Sequence, residues 1–332
     1  MDQSTIVPPG MKFSLSAVEA SGTQQPPDNY AFVMNVSRLV GAASFTLAKG
    51  HELRRANAEE VAVIKATVKP YMVFDIMPWE VRIVDGGASE RLPEAEWRYH
   101  VISFRGNNVT LIEIEEACSL APLELKIGFL ILKWLADQPM PPGQQGFIMH
   151  QGRLFQMLDR ALWNIVFSEV SDFDIDAIRT LHSQLVQHDA SQVDVRRLVQ
   201  QLHQLEAVPS YSPLRFLGYF AMLEEVLTHL PKPTDPYESI TRQIKMKVAL
   251  IDHRCKPHID YSAFGKTNIE TIWRKMYAYR SCLAHGGAPD FGSDLQILGN
   301  HDRALNLIKQ TVKAVLRQAL IEPQLIADLR DC

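Results

Sequence analysis

The chain has 332 residues, of which 46% are hydrophobic and 22% are charged, with a formal net charge of −4. These values are typical of a globular protein with enough apolar material for a core, and they exclude a mainly disordered chain. No stretch reaches the roughly 18 uninterrupted apolar residues of a membrane span, and the N-terminus lacks the pattern of a secretion signal. We therefore expect a cytoplasmic protein of two domains that does not bind a membrane.

The sequence lacks the usual signatures of metal and cofactor sites. Its four cysteines form no CxxC pair, which argues against a disulfide framework or a zinc ribbon. Residues 252–260 are rich in Asp, His and Cys, but their spacing matches no zinc pattern. GxGxxG, HExxH and GxSxG motifs are absent as well. We therefore expect no cofactor and no metal ion.

The first 120 residues predict a mixture of strands and helices. Short β-branched or alternating runs predict strands at Tyr30–Val36, Val81–Val84, Arg98–Phe104 and Val109–Ile114. A helix is expected to start after Asn57, a favourable N-cap residue, and to run towards Pro70. Another is expected from about Pro122 to Ala136. Together these elements predict an α+β N-terminal domain over residues 1–140.

A change of pattern follows at residues 137–146, where three prolines and two glycines predict an extended connector and a domain boundary. Beyond it, 3.6-residue periodicity predicts an all-α bundle over residues 147–332. The expected helices are 147–170, 174–188, 192–206, 213–230, 238–254, 268–285 and 301–320.

The helix expected at 268–285 carries an arginine and, five residues later, a histidine. At about 100° per residue, one side of this helix is an apolar stripe that should face the core. The stripe consists of Ile272, Met276, Tyr279 and Leu283. Arg280 and His285 flank a different arc, which also carries Trp273, Tyr277, Ser281 and Ala284. Aromatic and small residues there would suit packing on a second copy of the helix or stacking on a base.

A guanidinium and an imidazole are the groups that metal-free RNA cleavage requires. Histidine can remove the proton from a ribose 2′-hydroxyl, and arginine can bind the phosphate and stabilise its developing charge. Residues 241–285 add nine Lys/Arg against three Asp/Glu, a local charge of +6 that would attract phosphates. A solvated helix face, a surface arginine and a helix-terminal histidine are the alternative explanation.

The stretch from Trp273 to Gly286 resembles the signature helix of HEPN domains, especially the Apea-like group, whose RNase motif is Arg, four to six residues, then His. Upstream, 214–227 looks like an earlier helix of that family, in which an apolar run carries an acidic residue, here Glu224. The resemblance implies a bundle that dimerises so that two Arg/His helices form a composite, metal-independent endoribonuclease site, often in defence or toxin systems. One departure is Ser281, which stands where Asn, Asp or His is common, although a hydroxyl can still donate to phosphate.

On this basis the catalytic residues are expected to be Arg280, His285, Ser281 and Glu224. The residues expected to bind RNA are Arg274, Lys275, Tyr277 and Trp273. RNA and a second copy of the chain are the expected partners, and the N-terminal domain is expected to sense a protein or ligand trigger, or to restrain the nuclease. The alternative is a non-catalytic HEPN interaction module, which predicts a buried His285 without a cleft beside it.

Overall fold

The computed structural model describes residues 29–71, 77–84, 88–105, 109–135, 138–139, 147–149, 165–229 and 239–331. The described strands are β1 (Asn29–Val33), β2 (Val36–Leu39), β3 (Ser44–Ala48), β4 (His51–Arg55), β5 (Val81–Ile83), β6 (Ser89–Arg91), β7 (His100–Phe104), β8 (Ile127–Ile131), β9 (Trp134–Leu135), β10 (Gln138–Pro139), β11 (Phe147–Met149) and β12 (Ser168–Val170). The described helices are α1 (Ala58–Val68), α2 (Val109–Leu120), α3 (Asp172–Gln187), α4 (Val195–Glu206), α5 (Pro213–Leu227), α6 (Ile240–Arg254), α7 (Ile269–Ala284), α8 (His301–Ile321) and α9 (Pro323–Asp331).

A six-stranded antiparallel sheet forms the N-terminal half, with the strand order β11-β8-β1-β7-β4-β3. Strands β1, β7 and β8 are buried throughout, because both faces of the sheet are covered. Side chains alternate between the faces along each strand, so Tyr30 and Phe32 join one core cluster and Ala31 and Val33 join the other.

Helix α1 covers the first face. Its start is fixed by a capping box, in which the Asn57 side chain accepts the Glu60 backbone N–H and the Glu60 carboxylate accepts the Asn57 N–H, each at 2.9 Å. Ile64 and Val68 of this helix pack into the cluster that contains Phe32. The predicted helix start at Asn57 is confirmed.

The helical bundle covers the second face and is arranged around α8. This helix contacts α2, α3, α4, α5, α6 and α9, and it buries residues on every side. Its core is continuous with the sheet, since one hydrophobic cluster runs from Ala31 and Phe104 through to Leu316 and Ile326. The sheet-containing and helical parts therefore share one core.

Four charged side chains form a network next to this shared core, in which Glu206 and Lys313 are buried and Glu124 and Lys309 are half-buried. The Glu124 carboxylate, in the loop before β8, contacts Lys309 Nζ at 3.0 Å and Lys313 Nζ at 2.7 Å, and Lys309 also pairs with Glu206. Burial by itself would raise the pKa of the Glu124 carboxyl, but Lys313 and Lys309 outweigh it and hold that pKa well below its usual range. This network connects the sheet to α4 and α8.

Several predicted elements are confirmed and three are wrong. The expected strands at 81–84 and 98–104 and the helices from 174 to 320 agree with the structure to within a few residues. However, Val109–Ile114 opens helix α2, whose buried Leu111, Ile114 and Cys118 recur every three or four residues. The helix expected over Pro122–Ala136 is instead strand β8, because a short apolar run fits either structure.

The third error is the helix expected at 147–170. Residues 147–149 form β11, which pairs with β8, and 168–170 form β12, which runs parallel to β2. Residues 150–164 lie outside the described part, as does most of the predicted connector. The boundary at that connector stays a prediction, but the described residues after it contribute two strands as well as helices.

Candidate functional site

Helix α7 carries the predicted arginine and histidine, and its core face is the expected one. Asn268 begins the helix by accepting the backbone N–H of Glu270 at 2.8 Å. Ile272, Met276 and Tyr279 are at most 1% exposed, and Leu283 packs against the same cluster. The predicted apolar stripe is confirmed, and its burial fixes the rotation of α7 in the bundle.

The C-terminal end of α7 holds His285 at the surface. Gly286 has a φ of +70°, a left-handed conformation that glycine adopts without a steric penalty. The backbone N–H of Gly287 donates to the Cys282 carbonyl at 2.8 Å, and that of His285 donates to the Ser281 carbonyl at 3.1 Å. As a result, the imidazole projects from an ordered helix end and is exposed to solvent.

Arg280 contacts Glu224, the acidic residue of the other predicted motif. The Nη2 atom of Arg280 lies 3.0 Å from Oε2 of Glu224 on α5, across 56 residues of sequence. Both side chains are mostly buried, with exposed fractions of 29% and 18%. The Tyr277 ring lies beside this guanidinium, with 5.9 Å between the ring centroid and the Arg280 guanidinium carbon. Two helices thus position this guanidinium.

The carboxylate of Glu224 has unused hydrogen-bonding capacity. Its Oε1 atom is buried, and within the described part of the chain it has no hydrogen-bond partner. A buried carboxylate oxygen without a donor is unfavourable. The Arg280–Glu224 pair is therefore a polar centre that one further donor would complete.

Arg280 and His285 do not face the same direction within one chain. Five residues of helix separate them by about 140° around the axis and about 7.5 Å along it. Ser281 follows Arg280 directly and is half-buried on the last turn, near the start of the exposed segment. The structure therefore brings Arg280 and Glu224 together, and it places His285 and Ser281 at the adjacent helix end.

Among the four predicted RNA contacts, three remain accessible. Arg274 is exposed, and Lys275 and Tyr277 are half-buried. Trp273 is only 1% exposed, and its indole N–H donates to the Tyr261 hydroxyl at 3.1 Å. In this conformation the buried ring presents no accessible face to a base, and an RNA contact by Trp273 stays a prediction.

The predicted basic stretch is only partly available to a phosphate. Lys247 is buried, with its ammonium 3.3 Å from the Gln243 side-chain oxygen. Lys245 pairs with Glu270, and Arg254 pairs with Glu322. The exposed cations that remain include Lys256, Lys266 and Arg274. Fewer free cations are therefore exposed in residues 241–285 than the count of Lys and Arg in the sequence predicted.

Two residues that support the site were not predicted. The Tyr279 hydroxyl donates to Nδ1 of His301 at 2.7 Å, and the opposite ring nitrogen donates to the Ser210 carbonyl at 2.8 Å. Phe220 of α5 lies against Tyr277, with 6.0 Å between the ring centroids. No local pattern marks either residue, since each contact joins distant parts of the sequence.

No protein-family model, no curated protein and no solved structure matches the chain. A functional assignment therefore has to be argued from the geometry of the site. Within the described ranges, no helix has the length and apolar character needed to cross a membrane. The described His, Cys, Asp and Glu side chains form no group that could hold a metal ion.

Proposed function

We propose that the protein is a metal-independent endoribonuclease whose composite site forms where the α7 helices of two copies meet. The observation that carries the proposal is the 3.0 Å contact between Arg280 and Glu224. The sequence singled out these residues as parts of two separate HEPN-like motifs, and they lie side by side on α7 and α5. The HEPN-like assignment itself is part of the proposal.

In this mechanism, His285 removes the proton from a ribose 2′-hydroxyl, and the resulting oxygen attacks the adjacent phosphorus. The 5′-oxygen of the next nucleotide leaves and takes up a proton, so the products carry a 2′,3′-cyclic phosphate and a 5′-hydroxyl. Arg280 binds the phosphoryl oxygens and stabilises their charge, Ser281 donates a hydroxyl hydrogen bond, and Glu224 holds Arg280 in place.

We infer a second copy from the helix geometry. His285 lies about 140° around the axis from Arg280, so the imidazole of one copy and the guanidinium of the other are expected to share a phosphate. The exposed side of α7 favours this arrangement. Arg274, Ala278 and His285 lie on one stripe along the helix, and all three are exposed. Alanine at the centre of that stripe permits a close approach of two helices.

The remaining parts of the proposal follow from the family resemblance. The protein would act on RNA in the cytoplasm, within a defence or toxin system. Its N-terminal sheet region would sense a trigger, bind a partner or restrain the nuclease. Because that region shares a core with the bundle, a change at the sheet has a direct packing route to α8.

The first test incubates purified protein with RNA in excess chelator. We expect the wild type to cut, and His285→Ala and Arg280→Ala to lose about 100-fold or more in rate. His253→Ala is the matched control, since His253 is an exposed histidine on α6 outside the site. Intact RNA with the wild type would refute the enzyme assignment, and cleavage that persists in His285→Ala would refute the role of that residue.

A mixing experiment tests the composite site. Equal amounts of the inactive His285→Ala and Arg280→Ala proteins would be unfolded, mixed and refolded. If each site takes its arginine and its histidine from different copies, heterodimers regain one intact site and the mixture recovers about a quarter of wild-type activity. Recovery would be absent if both groups acted within one chain.

A non-catalytic interaction module is the second candidate. Ser281 favours it, because this residue stands where Asn, Asp or His is common in the motif that the chain resembles. Against it, His285 is exposed, whereas this alternative predicted a buried imidazole. Light scattering decides between the two candidates together with the cleavage assay: a dimer that fails to cut RNA supports the module.

A further inference from the structure

A groove lies at the end of the central sheet, far in sequence from Arg280 and His285. It consists of two adjoining cavities of about 520 Å³ and 510 Å³, and Arg55 and Trp97 line both of them. We call it the Arg55 groove. Each volume is in the range of small-molecule sites.

The sheet fixes the polar part of this groove. Arg55 ends β4 and His100 begins β7, and the two are directly paired across these neighbouring strands. Paired residues in an antiparallel sheet project from the same face. Ser37 and Arg38 of β2 line the same cavity, and Arg38 also pairs with Glu169 at 2.8 Å where both side chains are exposed.

Arg55 is held in place without being neutralised. Its Nη1 atom donates to the Ala95 carbonyl at 2.7 Å and its Nη2 atom donates to the Glu94 carbonyl at 2.6 Å. Neither acceptor carries a formal charge, and among the described residues no carboxylate forms an ion pair with Arg55. Glu94 and Glu96 line the groove, but both are exposed, where water screens their charge. A fixed, uncompensated guanidinium favours an anion.

His100 adds an independent sign of a ligand. It is only 4% exposed, and its Nδ1 atom has no hydrogen-bond partner in the described part of the protein. Burial lowers the pKa of this imidazole to about 4, so the ring is neutral at physiological pH. His100 lines this cavity, so a ligand atom that reached its Nδ1 would supply the missing hydrogen bond.

The other cavity combines apolar side chains with the charged groups of Arg55, Lys65 and Glu94. Val61 and Ala62 of α1 face Trp97 and Tyr99 across it. The Trp97 ring is half-buried, its N–H donates to a backbone carbonyl at 3.1 Å, and the Lys65 ammonium lies 4.7 Å from its centroid. A flat ring would fit beside this indole while an attached anion reached Arg55.

We propose that the Arg55 groove binds a small molecule that joins a flat ring to an anionic group, such as a nucleoside monophosphate or an aromatic carboxylate. The ring occupies the cavity beside Trp97, and the anion lies between Arg55, Arg38 and Ser37. This inference is independent of RNA cleavage, because neither Arg280 nor His285 lines the groove.

The test is isothermal titration calorimetry on the full chain with five probes. Two join a ring to an anion, namely a mixture of ribonucleoside monophosphates and indole-3-acetate; the other three are adenosine, uridine and inorganic phosphate. We expect at least one joined probe to bind about tenfold or more tighter than adenosine, uridine or inorganic phosphate. Binding of the monophosphates alone assigns a phosphate ligand, and binding of indole-3-acetate alone assigns a carboxylate. If neither joined probe binds, the proposal is wrong.

Two variants locate the binding. Arg55→Ala removes the cation, and Ala62→Leu fills the apolar cavity from an exposed helix position, so it leaves the folded core intact. Both should weaken binding about tenfold or more. Arg303→Ala, an exposed arginine at the start of α8, is the matched control and should bind like the wild type. Equal affinity of Ala62→Leu and the wild type would overturn the assignment even if Arg55→Ala failed to fold.

Discussion

Replacement of Glu124 by glutamine should be among the most destabilising single changes at a polar residue. The wild-type carboxylate lies 2.7 Å from the Lys313 ammonium and 3.0 Å from that of Lys309, next to the core shared by sheet and bundle. An amide removes the negative charge and leaves Glu206 as the remaining carboxylate of the network for the buried Lys313 and the half-buried Lys309. Removing one partner of a buried ion pair typically costs about 3–5 kcal/mol.

The lost free energy of unfolding should lower the midpoint temperature of thermal unfolding. At about 2.1 cal/mol/K of unfolding entropy per residue, a loss of 3–5 kcal/mol lowers the midpoint of this chain by about 4–7 °C. Differential scanning calorimetry at pH 7 measures it directly. Glu90→Gln is the matched control, because Glu90 pairs with Arg82 at 2.8 Å on the exposed β5–β6 hairpin, and we expect no measurable change there.

A double variant separates charge from packing. Glu124→Gln with Lys313→Met removes one charge of each sign and leaves the Lys309–Glu206 pair in place. It should recover much of the lost stability, since apolar replacement of a buried pair is often neutral. The reasoning would be refuted if Glu124→Gln unfolded within 1 °C of the wild type, or if the double variant lost more stability than the single one.

Three smaller effects are also expected. For His100, the folded pKa of about 4 lies below the unfolded value near 6.5. The unfolded chain therefore binds a proton that the folded ring does not, and about 2 kcal/mol of stability should be lost between pH 7 and pH 5. His100→Phe should remove this dependence in urea unfolding at the two pH values. Asn57→Ala deletes the α1 cap and should lower the free energy of unfolding by about 1 kcal/mol. Gly286→Ala places a Cβ at a φ of +70° and should cost about 1–2 kcal/mol in the same assay.

Local signals explain what the sequence predicts well. Asn268 and Gly286 supply a start and a stop for α7, so its expected range of 268–285 is within one residue of the observed Ile269–Ala284. Asn57 does the same at the start of α1. In each case a side chain next to the element satisfies its end groups, and that interaction is visible in a short window of sequence.

Non-local contacts explain the features that the sequence does not predict. Trp273 is at the edge of the predicted open arc, but Tyr261 from the preceding loop covers it. Glu124 and Lys309 are 185 residues apart, so no periodic pattern reveals their contact. Strand β8 is apolar on both sides because α1 and the bundle bury opposite faces, and such a run fits a buried helix equally well. Glu224 was singled out only through the family resemblance, and its contact with Arg280 joins residues 56 apart.

The single core that joins the sheet to the bundle has a practical consequence. We therefore expect the helices that carry Arg280 and His285 to need the sheet for folding. A fragment of residues 147–331 would leave β11 and β12 without their partner strands, and it would expose the apolar residues of α3 and α4 that pack on α2. Such a fragment would aggregate before it could be assayed.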